Sequence, residues 1–162
     1  MIFHLSIAAR NPQRVATVIA ELWGGEATAF PPYDGAWVAL AGDDRNSLIE
    51  VYPLGTELVP ADGMDDAQGT INPSPSRSTA THAAIATRLS EADVKAIADR
   101  EGWLTKTLSR GGMFHVIEFW LENTLMIEVL TEEFQREYLA GMTVTNWKSF
   151  LTAEPAAMAA TA

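Results

Sequence analysis

Two histidines and two glutamates recur together in this chain. His4 is followed 46 residues later by Glu50, and His82 by Glu128 at the same interval, so both residues repeat at one offset of 78. Neutral imidazoles and carboxylates are donors that divalent transition metals accept. A glutamate inside an apolar strand is costly to bury unless it is paired, protonated or bound to metal. Two such carboxylates repel each other, and a divalent cation offsets that repulsion. The spacing therefore predicts a duplicated unit that holds one metal between its halves through His4, Glu50, His82 and Glu128.

The surroundings of these residues repeat as well. Phe3-His4-Leu5-Ser6-Ile7-Ala8 matches Thr81-His82-Ala83-Ala84-Ile85-Ala86 in pattern, and Leu48-Ile49-Glu50-Val51-Tyr52 matches Met126-Ile127-Glu128-Val129-Leu130. Alternation predicts a strand over 2–9 with His4, Ser6, Ala8 and Arg10 on one face. Asn11 and Pro12 are a cap and first position for a helix striped by Val15, Val18, Ile19 and Leu22, which Gly24-Gly25 ends. Strands over 26–30, 37–41 and 47–52 follow. The second half repeats the order, with a strand over 81–87 and a helix opened by a Ser90–Asp93 capping box and closed at Gly102. Strands over 104–108, 114–120 and 125–130 come next. The expected fold is α+β, with two βαβββ modules over 1–53 and 81–131 forming a cleft between curved mixed sheets. Residues 54–80, rich in Pro, Gly, Ser and Asp, read as a linker, and 132–162 as a C-terminal extension whose last ten residues fray.

Composition narrows the function. The net charge of −10 and pI near 4.6 disfavour nucleic acid as a partner. The acidity suits either solubility or a cleft that attracts cations. Apolar runs are strand-sized, so no membrane span is expected, and residues 1–10 lack the features of a secretory leader. Without cysteine there is no disulfide or thiolate, which suits a cytoplasmic location.

Taken together, these motifs resemble the vicinal oxygen chelate superfamily, which includes glyoxalase I, fosfomycin-modifying enzymes, extradiol dioxygenases and bleomycin-resistance proteins. The resemblance covers 2–52 and 81–131, and the His, Glu, His, Glu order is closest to glyoxalase I. It implies a divalent metal (Zn, Ni, Co, Mn or Fe) on the four residues. It further implies a lyase or isomerase reaction on a small substrate with vicinal oxygens, through a metal-stabilised enediolate with Glu128 as the catalytic proton carrier. Glyoxalase I typically carries an arginine four residues after its first histidine to hold glutathione, and Ala8 stands there. Arg10 and Arg88, again 78 apart, are candidates for holding an anionic substrate. His115 or Glu118 is a candidate auxiliary acid or base, and Tyr52 a candidate pocket wall. The alternative is a non-catalytic protein that binds a cationic drug, as bleomycin-resistance proteins do. A homodimer is expected, with the modules paired either within a chain or across two chains.

Overall fold

The computed structural model describes residues 2–153. The first module is β1 (His4–Ala9), α1 (Pro12–Trp23), β2 (Glu26–Ala29), β3 (Trp37–Leu40) and β4 (Leu48–Pro53). The second is β7 (Ala84–Ala86), α2 (Glu91–Glu101), β8 (Thr105–Arg110), β9 (Phe114–Leu121) and β10 (Leu125–Leu130). Each forms a four-stranded mixed sheet of the same order, β1-β4-β3-β2 and β7-β10-β9-β8, in which only the first pair is parallel.

Local chemistry sets the helix ends. The Asn11 side chain accepts a hydrogen bond from the Arg14 N–H, and Ser90 and Asp93 form the reciprocal capping box. Both helices stop at a glycine in the left-handed region, Gly24 at φ 68° and Gly102 at φ 70°, where a side chain would be strained.

The core lies between each sheet and its helix. Ile7, Ile49 and Val51 meet Val15, Ile19 and Leu22 in the first module. Ile117, Phe119, Ile127 and Val129 meet Val94 and Ile97 in the second, and the two interiors are continuous. The modules are clasped along α1 and α2. Glu122 accepts from the backbone N–H groups of Arg10 (2.9 Å) and Asn11 (2.8 Å), Arg14 reaches Glu101 at 2.6 Å, and Arg100 holds Glu21 at 2.7 Å. The Thr87 hydroxyl, buried, donates to the Leu22 carbonyl.

Residues 54–80 contain an exposed hairpin, β5 (Thr56–Val59) with β6 (Gln68–Ile71), separate from both sheets. After β10, α3 (Glu132–Gly141) packs Phe134 and Tyr138 on the second module, with the Tyr138 ring 4.9 Å from that of Phe114. α4 (Val144–Ala153) leaves Val144, Trp147 and Leu151 exposed. The frayed tail expected beyond Ala153 lies outside the described residues.

Candidate functional site

Strand alternation turns the bulky aliphatic residues of β1, β4, β9 and β10 towards the helices. The opposite faces carry the carboxylates. On the first sheet, β1 and β4 pair in parallel with Ser6 beside Glu50, and Val38 of β3 flanks Glu50 on its other side. Glu50 is half-buried and held by neutral donors. The Ser6 hydroxyl donates to Oε2 at 2.7 Å and the Tyr52 hydroxyl at 3.3 Å. Burial, and then the charge on Glu50, push the Tyr52 phenol above its ordinary pKa, so it stays a proton donor to the carboxylate. His4, two residues before Ser6, begins β1 and is exposed.

On the second sheet Ala84 stands beside Glu128, as Ser6 stands beside Glu50. Glu128 is only 8 % exposed and faces Glu118 across the β9–β10 pair. Two carboxylates at opposed positions repel, and Arg110 resolves this. Its Nε and Nη2 donate to Glu128 Oε1 at 2.9 and 2.5 Å, and Nη2 also reaches Glu118 Oε1 at 2.9 Å. The Trp120 indole N–H donates to the other oxygen of Glu118 at 3.2 Å. Burial opposes the charge on Arg110, but its hydrogen bonds to both glutamates outweigh it and raise its pKa.

The strand expected over 81–87 is shorter than its sequence pattern. β7 begins at Ala84, so His82 precedes the strand and is exposed, with Nδ1 3.0 Å from the Ala80 carbonyl. The Thr79 hydroxyl accepts from the Thr81 N–H. Such local bonds between side chains and backbone compete with a strand ladder. Among the described residues, no three His, Asp or Glu side chains converge closely enough to hold a metal ion. His4 is exposed at the start of β1 and His82 before β7, while Glu50 and Glu128 lie within β4 and β10 on separate sheets.

The remaining candidates divide. His115 does not share the carboxylate face. Its Nδ1 meets Glu137 of α3 at 2.9 Å, which pulls the Glu137 carboxyl below the usual range. Glu118 does share that face with Glu128. Arg88 is exposed between β7 and α2, in the wall of a shallow depression that includes Glu91, Glu132 and Glu133. Arg10 and Tyr52 both line a cavity of about 290 Å³ at the seam between β1, the linker and the β9–β10 turn. Sequence reasoning missed Arg110. The signal available was the tight turn at Glu122-Asn123, which sets 118 opposite 128, together with the Gly111-Gly112 turn that returns Arg110 to the same face.

No protein-family profile matches the chain, and no curated protein sequence matches it. Solved structures do. Fosfomycin resistance protein FosX from Mesorhizobium loti superposes with a TM-score of 0.50 at 11% identity, covering 84% of this chain and 95% of that one. Lactoylglutathione lyase from Agrobacterium tumefaciens gives 0.51 at 10% identity, covering 80% and 91%. At such identities the likeness concerns the fold alone. Among the described residues no helix is long and apolar enough to cross a membrane.

Proposed function

Proceeding from the vicinal oxygen chelate fold, we propose that the chain is a glyoxalase-like lyase or isomerase acting on a small molecule with vicinal oxygens. Two copies would complete its site, His4 and Glu50 from one and His82 and Glu128 from the other. The observation that carries this reading is the equivalence of the two half-sets. In each module the glutamate sits beside the residue two positions after the histidine on the parallel neighbour, or on that strand's extension. Both carboxylate faces lie opposite the helix-covered core, with Leu48, Met126 and Trp120 only half-buried around them. A second copy with its modules reversed would cover both.

The donor chemistry fits a borderline divalent ion, two nitrogens and two oxygens, but only when two half-sets meet. A bound metal would supply Lewis-acid polarisation of the substrate oxygens. The chain's own residues supply the rest. Ser6 and Tyr52 fix the orientation of Glu50, as hydrogen-bonded outer groups do for ligating carboxylates. Glu128 carries the proton at a carboxylate oxygen. Arg110 and Glu118 keep a charge-balanced floor beside it, and Arg110 retains N–H groups for a substrate oxygen.

A second reading has its own observation in favour. Arg110 already pairs with both Glu128 and Glu118, so the second module's carboxylates have a cationic partner without a metal, and the fold would then serve as a binding protein. A subunit-mixing experiment separates the two. His4→Ala and Glu128→Gln variants are each expected to bind no stoichiometric Zn or Ni. After co-refolding, about a quarter of the sites should return, because half of a random mixture is heterodimer with one intact site of two. No metal uptake by the unaltered protein leaves the binding reading. Uptake that mixing fails to restore places the site within one chain.

A further inference from the structure

The cavity between β1, the linker and the β9–β10 turn combines features that nothing in the carboxylate site requires. Two guanidinium-bearing residues, Arg10 and Arg77, line it. Neither guanidinium takes part in an ion pair among the described residues. In a chain of net charge −10, two arginines without carboxylate partners on one concavity form a local positive centre. Glu122 is also in the wall, but its two oxygens accept from the backbone N–H groups of Asn11 and Arg10.

The lining also holds a polar atom without a partner. The Thr56 hydroxyl is buried and makes no hydrogen bond among the described residues. A buried hydroxyl left in this state costs about 1–3 kcal/mol, and an acceptor group in the cavity would relieve it. Leu54, Leu58 and Leu125 supply apolar wall. A concave space with apolar sides and a few convergent polar groups is the usual form of a small-molecule site, and this one, at about 290 Å³, suits a compact ligand.

We infer that this cavity binds a small organic anion, a carboxylic acid with further oxygen acceptors, its charged end towards Arg10 and Arg77 and an acceptor towards Thr56. Ser6 and Tyr52 line the same cavity and are the residues whose hydroxyls hold Glu50. A bound anion would therefore sit next to the first module's carboxylate, in contact with the groups that orient it. The inference does not require the metal, and it opposes the expectation of a cationic ligand.

The test uses the full chain after EDTA treatment, so that anion binding is read independently of metal. Succinate and inorganic phosphate are the anionic probes and choline the cationic one, each titrated while amide and methyl resonances are followed by NMR. Saturable succinate binding that shifts Thr56 and Tyr52 is expected. It should weaken about tenfold in Arg10→Gln and in Arg77→Gln, since charge-assisted hydrogen bonds are lost, and weaken further with added KCl. Both arginines are exposed, so neither variant puts folding at risk. Arg88→Gln, the equivalent of Arg10 in the other module, should leave binding unchanged. The inference is overturned by an absence of saturable anion binding, by binding that survives the double Arg10, Arg77 variant, or by choline binding in preference.

Discussion

In the first module Glu50 rests against two neutral hydroxyls and has Val38 beside it on the neighbouring strand. In the second, Glu128 occupies the corresponding place with another glutamate opposite and shares a guanidinium with it. Strand order and the left-handed glycine that ends the helix are the same in both. The difference comes from which side chains the third strand delivers. Val38 asks nothing of Glu50, whereas Glu118 adds a charge that cannot stay buried beside Glu128 unless a cation joins them. The two modules thus carry a carboxylate at the same place with different electrostatic support, one held by hydroxyls and one held in an ion triad.

Making the first module resemble the second without its arginine should have the largest effect. Val38→Glu places a second carboxylate opposite Glu50 at a buried position, where the described residues supply no counterpart of the Arg110 ion triad. It is expected to cost about 4 kcal/mol, read by urea denaturation at pH 7. The reverse operation, Arg110→Met, strips the second module of its cation and should cost about 3 kcal/mol. Removing Glu118 as well, in Arg110→Met with Glu118→Gln, should recover part of that loss, because the repulsion between Glu118 and Glu128 goes with it. No recovery would break the comparison, because the arginine would then be acting by packing alone.

Ser6→Ala is a smaller change, about 1 kcal/mol, since one hydrogen bond to a half-buried carboxylate is lost. If it matched Arg110→Met, the two carboxylates would be held alike after all. The smallest expected effect lies at the inter-module clasp. Burial pushes the Glu101 carboxyl up, but hydrogen bonds from Arg14 and Arg100 win and hold it below the ordinary 4.5. A depressed carboxylate contributes stability that is present above that value and is lost as the pH falls through its folded pKa. Glu101→Gln should therefore be less stable than the parent at pH 7, by about 0.5 kcal/mol because both arginines are half exposed. The two proteins should converge as the pH falls below 4.5, measured as paired melting curves.

Much of the fold was legible because local rules and the repeat agreed. Asn11-Pro12 and Ser90 to Asp93 are capping signals that act within four residues, and Gly24 and Gly102 end their helices for steric reasons. The α+β class and the common strand order follow from reading the same pattern twice. His82 was misread because its neighbours alternate like a strand, while Thr79 and Ala80 tie the backbone and ring into a local turn. The Arg110 triad was illegible for another reason. Arg110, Glu118 and Glu128 lie on three different strands, and their meeting depends on two registers at once.

By itself the sequence determined the duplicated module, the helix ends and the placing of one glutamate in each sheet, because these depend on contacts near in sequence and on period-two alternation. Only the tertiary structure decided what each glutamate meets. Opposed positions on neighbouring strands, and the fold-back of the linker beside Arg10, are set by register and by which surfaces pack. Charge compensation inside a sheet is settled only when those surfaces close.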